Sequence, residues 1–123
     1  MNDILALITD GLLPWPGVQV WRGRLPAGFK NTAPAVVVTL DGDAHADCGA
    51  TRRASISFRV YGGSAKASDA GAVYSQLLDK ISAANAGDVL RIGQLNGQEL
   101  PPEPDTGWPA YNLRATARIN ERT

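Results

Sequence analysis

The stretch Gly62-Gly63-Ser64-Ala65-Lys66 lies between an alternating, strand-like run and a long helical pattern. A glycine-rich turn opening a helix is a common cradle for phosphate, because backbone N–H groups there point at the ligand. The register does not match the known cradles. A P-loop carries Lys directly after its second Gly; here Ser64 and Ala65 intervene before Lys66. The dinucleotide pattern G-x-G-x-x-G also fails, because Gly62 and Gly63 are adjacent and Ser64 holds the place of the second required Gly. The run before the turn alternates and so has one wet face, whereas dinucleotide sites follow buried parallel strands. The reading that remains is a glycine corner with a cap. Ser64 or Ser68 accepts a free backbone N–H, and Asp69 complements the dipole of the first turn.

The other groups with chemical potential are sparse. Asp41, Asp43, Asp47, His45 and Cys48 crowd the segment Asp41 to Gly49. An EF-hand loop counted from Asp41 needs Gly sixth and Glu twelfth; Ala46 and Arg52 stand there. Asp favours such loops because it bonds its own backbone, so a polar hairpin loop is the preferred reading over a metal site. His45 is the only His, and no G-x-S-x-G elbow is present. Glu99 and Glu103 lie around prolines and read as a solvated turn. No catalytic residue, cofactor or metal ligand is assigned, and the chain is not expected to be an enzyme.

Nine of the twelve basic residues are Arg, the side chain with a planar fork of donors that is enriched at interfaces. Arg22, Arg24, Arg52, Arg53, Arg59, Arg114 and Arg118 could gather on one side of a sheet. Tyr61 is the one aromatic clearly in phase with Arg59, too few for base stacking. The competing readings are a charged wet face and a subunit interface where Arg meets the carboxylates of a neighbour.

The chain has 123 residues, 44% hydrophobic, with a formal net charge of zero. That suits one folded domain, 1–123, and argues against a free-standing nucleic-acid binder or a polybasic membrane protein. One Cys excludes an intrachain disulfide. No apolar run approaches a membrane span, and MNDILALITDG lacks the basic start of a secretion signal. A cytosolic product is expected.

Periodicity supplies the elements. Residues 2–12 read as a short helix, 18–24 as a strand and 35–41 as a β-branched strand. Residues 51–62 alternate, with Ala54, Ile56, Phe58 and Val60 on one face and Ser55, Ser57, Arg59 and Tyr61 on the other. A helix follows over 64–84, then a strand over 88–95. Asn96-Gly97-Gln98 reads as a tight turn, with a possible short strand over 98–100. PPEPDTGWP is irregular, and 111–119 alternates again. The order α-β-β-β-α-β-β with half-wet strands predicts an α+β domain: a mostly antiparallel sheet with two helices on its apolar face.

Taken together, the stretch PAVVVTL, the block FRVYGGSAKASDAGAVYSQLLDKI and the turn PDTGWPAYNLRA resemble the tail terminator (tail completion) proteins of long-tailed bacteriophages and related phage-like particles. The resemblance covers most of the chain and rests on element order and the strand–glycine–helix block. It implies a virion structural protein, made in the host cytoplasm and located at the neck. There a hexameric ring caps the tail tube, ends its polymerisation and meets the head-side connector, while DNA passes through without specific binding. The compact Asp41 to Gly49 loop departs from the family plan. On this reading Arg59, Arg114, Arg118 and Trp108 are candidate subunit-interface residues. The partners are further copies of the chain, the tail tube protein and the connector or stopper protein, with no membrane. Alternatives are a connector, stopper or minor tail protein of the same region and, more distantly, a small nucleotide-binding module or enzyme.

Overall fold

The computed structural model describes residues 8–10, 12, 15–41, 45–47, 51–84, 90–104 and 106–120. Its elements in chain order are α1 (8–10), β1 (Gln19–Arg22), β2 (Ala35–Leu40), β3 (His45–Asp47), β4 (Thr51–Tyr61), α2 (Ala67–Ala84), β5 (Leu90–Leu100) and β6 (Ala110–Asn120). The expected helix over 2–12 falls partly outside the described residues. Residues 8–10 and 12 are helical, and Ile8 and Leu12 are buried.

The sheet runs β1-β2-β4-β6-β5, with β3 paired to β4 off this path. β1 joins β2 in parallel, and every other pairing is antiparallel. The α+β architecture is therefore as expected, with one strand more than the periodicity revealed. β3 lies inside the segment read as a loop. Between Leu40↔Ile56 and His45↔Arg53 the register slips by two residues. β2 and β3 thus both pair with β4, in registers two residues apart, and the chain between them includes residues 42–44. Residues 42–44, and residues 48–50 beyond β3, lie outside the described residues, so the Asp/His/Cys cluster weighed as a metal site is only partly described.

The face of the sheet covered by the helices holds the main core. Val36, Val38, Ala54, Ile56, Phe58, Val60, Leu113, Ala115 and Ala117 meet Val73, Leu77 and Ile81 of α2, with Ile8, Leu12 and Trp15 alongside. The alternation read from the sequence placed β4 and β6 correctly, because period two puts every second side chain on one face. Trp15 keeps its indole N–H satisfied by donating to Gln76 Oε1 at 3.2 Å.

Two expectations are corrected. The helix begins at Ala67 rather than Ser64. Residues 90–100 form one strand, not a strand, a turn and a second strand. The break in β5 is a bulge: the register shifts between Gly93 and Asn96, Gln94 takes φ 54°, and Thr116 donates to Gln94 Oε1 at 2.9 Å. Asn96-Gly97 then pairs straight on with Arg114 and Leu113. A side chain at Gly97 would run into the hydroxyl of Tyr74, whose ring stacks on Tyr111 at 5.1 Å. That glycine serves close packing, not a turn.

Candidate functional site

The corner after β4 is built by contacts the local motif did not reveal. A Cβ at Gly62 would strike the backbone of Asp69 and Ala70, so the first turn of α2 rests directly on this residue. Gly63 has φ 81°, and a Cβ there would lie 2.7 Å from the Pro34 nitrogen. Its N–H donates to Asn31 Oδ1 at 3.0 Å, and Asn31 Nδ2 returns a bond to the Ser64 carbonyl at 3.0 Å. Asn31 is itself buried with φ 53°. Ser64 Oγ accepts the Lys66 N–H at 3.0 Å and donates to Asp69 Oδ2 at 2.6 Å. The glycine N–H that a phosphate would need at Gly63 is thus taken by Asn31. Of the two cap candidates, Ser64 is the one bonded to a backbone N–H at the helix start, while Ser68 lies inside α2.

The sheet face away from the helices has two parts. At one end, Val37, Tyr61 and Ala110 are buried beneath Trp21, Leu25, Phe29, Leu100 and Trp108. Phe29, Tyr61 and Trp108 pack in tilted and edge-on pairs with centroids 5.6–6.1 Å apart, a favoured geometry for aromatic rings. Tyr61, assigned to a polar face by alternation, is only 3% exposed. Alternation gave its side of the sheet correctly; the loops that cover it come from residues 21–29 and 100–108. Trp108 accordingly caps this end of the sheet within its own protomer.

The turn carrying Trp108 is closed by its own bonds. Glu103 N–H donates to the Trp108 carbonyl at 3.2 Å, and Gly107 N–H to the Glu103 carbonyl at 2.7 Å. The Glu103 carboxylate accepts the Tyr61 hydroxyl at 2.6 Å and the Thr106 hydroxyl at 3.2 Å. Glu103, read as part of a solvated turn, is instead the anchor that ties that turn to β4. Burial first, and the bond to Glu103 second, push the Tyr61 phenol up to about 12; neighbouring Arg59 pulls the other way.

Beyond the aromatic end the face opens into a concavity of about 710 Å³. Arg24, Arg59 and Arg114 line it with the carboxamides of Asn96, Gln98 and Asn112. Asp41 also reaches it and accepts a bond from the Ser57 hydroxyl. Arg59 Nη1 stands 3.7 Å from Glu103 Oε1, with about half of the Arg59 side chain exposed. An exposed pair of this kind contributes little to stability, which leaves the guanidinium available for another partner. The lining is rich in donors spaced along a rigid sheet. Guanidinium and carboxamide N–H groups of this kind donate to carboxylate and carbonyl oxygens. Among the described residues no group of three or more His, Cys, Asp or Glu is placed to hold a metal ion, and no helix is long and apolar enough to cross a membrane.

The structure brings Arg59, Arg114 and Arg118 onto one face: they lie on β4 and β6 at positions that share side-chain parity through Arg59↔Asn112, Ser57↔Arg114 and Arg53↔Arg118. Arg24 lines the same face and Arg53 belongs to it. Arg52 falls on the other parity, and Arg22 shares the parity of Val20, which packs on the helix side. Sequence reasoning missed Arg91, which pairs with Arg118. The alternation of residues 90–93 held the signal, but the bulge two residues later hid the strand's length. No family model matches this sequence, and no curated protein matches it.

Proposed function

We propose that this chain is a ring-forming structural protein of a phage-like particle, the tail terminator that caps the tail tube at the neck. The observation that carries the reading is the open groove of Arg24, Arg59 and Arg114 with three carboxamides. It is a built, donor-rich surface on a rigid sheet, of the kind a neighbouring subunit occupies. A ring joins two different patches of one subunit head to tail. Among the described residues β1 and β5 are the outer strands of the sheet, so backbone pairing across subunits is a second means of contact. The strand–glycine–helix block that carries the family resemblance forms a tight corner here, one that sets the angle between β4 and α2.

The test is removal of the gene from the parent phage or particle, with electron microscopy of the products. Tails of irregular length that fail to join heads are expected. Tails of normal length that join heads without the protein overturn the proposal. Tails of normal length with heads detached place the protein in a connector or stopper ring instead.

A further inference from the structure

The backbone groups of the two outer strands can be assigned a direction. Alternate residues of a strand bond to opposite neighbours. Gln19 N–H donates to the Pro34 carbonyl at 3.0 Å, and Gly23 N–H to the Val38 carbonyl at 2.8 Å. Residues 19, 21 and 23 therefore face β2, and the N–H and C=O groups of Val20 and Arg22 face outward. At the other side of the sheet, Asp41 N–H donates to the Ser55 carbonyl at 2.8 Å. Ser57 and Arg59 thus bond towards β2, while Ile56, Phe58 and Val60 bond towards Ala115, Leu113 and Tyr111 of β6. That leaves Asn112 and Arg114 to bond Gln98 and Asn96. Gly97 and Glu99 are then the residues of β5 whose backbone groups face outward. Among the described residues no strand pairs with either outer edge.

We infer that these two edges join: β1 of one copy pairs antiparallel with residues 97–100 of a second copy, and the sheet runs on from subunit to subunit. The inference rests on the ring reading and names its join. Within one protomer β1 and β5 run in opposite directions, as the successive pairings require. A rotation about an axis along the strands therefore brings them together antiparallel, with the faces of the sheet kept. The lengths also match. β5 is regular from Asn96 to Leu100, between the bulge and Pro101, and β1 has 4 residues. Neither stretch holds a Pro or a Lys, the residues that commonly blunt an edge. Full overlap sets Val20 opposite Glu99 and Arg22 opposite Gly97. These are the outward-facing residues of both strands, and each such pair exchanges two N–H···O bonds.

Charge selects this join over its alternatives. Val20 packs against the main core, so Arg22 shares the helix side of the sheet. Glu99 pairs with Tyr111, which packs on that side too. Both Arg22 and Glu99 are exposed. In the overlap above, Arg22 lies one pleat from Glu99 of the second copy, about 7–8 Å between Cα atoms, a gap that long side chains span. Pairing β1 with β1 brings Arg22 opposite or beside its own copy, and pairing β5 with β5 does the same for Glu99. Like charges so placed repel. Unlike edges are thus favoured, which is the head-to-tail contact of a closed ring. On the other face the join sets Trp21 opposite Gln98 and Gln19 opposite Leu100. The β5 side of the arginine groove is then bounded by β1 of the next copy.

The test places proline at neighbouring positions of one strand. Glu99→Pro removes an outward N–H and keeps the bonds to β6, whereas Gln98→Pro removes an N–H that faces β6. Glu99→Pro is expected to lower the thermal melt less than Gln98→Pro and to lose assembly. Assembly is read by light scattering of the full chain and by its retention on tails made without it. Charge reversal is the second arm. Arg22→Glu and Glu99→Arg are each expected to weaken association about threefold or more, and the double variant R22E/E99R to restore it. An unchanged chain that neither multimerises nor stays on tails overturns the ring reading, and the join with it. A chain that assembles, and does so equally well as Glu99→Pro, overturns the join alone. Should Glu99→Pro not fold, the charge arm decides: single reversals without loss, or a double variant without recovery, overturn the join.

Discussion

Replacing Tyr61 with Phe isolates one bond that ties the 101–109 turn to the sheet. The ring keeps its place between Phe29 and Trp108, so little packing is lost. What goes is the hydroxyl donated to Glu103 Oε1 at 2.6 Å. Hydrogen bonds to charged groups contribute about 1.5–3 kcal/mol. The Glu103 side chain is 28% exposed and also accepts from Thr106, so the lower end applies and a loss of about 1.5 kcal/mol is expected at neutral pH. A pH signature separates this from a packing effect. The phenol ionises at 10.0 in the unfolded chain and at about 12 in the folded one. Between those values the folded state binds more protons, so stability falls as pH rises. The contribution is fully present below pH 10 and is lost as pH passes through about 12, with an upper bound of about 2.7 kcal/mol for two units. Urea unfolding followed by tryptophan fluorescence, at neutral pH and again towards pH 12, measures both quantities. Tyr61→Phe is expected to lower stability and to flatten the alkaline loss. A double-mutant cycle with Glu103→Gln should show a coupling of at least about 1 kcal/mol. A Tyr61→Phe protein within about 0.5 kcal/mol of the unchanged chain, with the same alkaline profile, would refute the reasoning.

The glycines give a ranking. Gly62→Ala pushes a methyl into the α2 backbone, whereas Gly97→Ala meets the movable end of Tyr74; thermal melts should show Gly97→Ala costing about 1–3 kcal/mol and Gly62→Ala more. Ser64→Ala removes the acceptor for Lys66 N–H and the donor to Asp69, and denaturant titration should read a loss of about 1 kcal/mol. Arg114→Glu, at an exposed position, should leave monomer stability within about 0.5 kcal/mol while impairing assembly on tails. An equal loss of monomer stability would make Arg114 structural.

The legible part of this protein is what repeats locally. Alternation over 51–62 and 111–119 identified the two central strands and sorted Phe58 and Leu113 from Arg59 and Arg114, because side chains in a strand alternate whatever lies beyond it. The apolar spacing from Ala70 to Ile81 did the same for α2. Local rules failed where a distant residue decides. Asn96-Gly97 has the composition of a turn, yet Tyr74 from the helix needs the empty side of Gly97, and the bulge at Gln94 absorbs the irregularity. His45 to Asp47 is too short to show a period, and only the edge of β4 makes it a strand.

The same division holds for the site. Spacing alone put Arg114 and Arg118 on one face of their strand and Arg59 on the polar face of another, and showed that Gly62-Gly63 does not match the P-loop or dinucleotide patterns. Register between strands belongs to the tertiary structure, because it depends on bulges and on which edges meet. It alone set Arg91 and Arg53 beside Arg118. Tertiary packing likewise turned Tyr61 from a wet-face residue into the buried donor to Glu103, since the loops that cover it lie at least 32 positions away in the chain for Phe29 and 42 for Glu103.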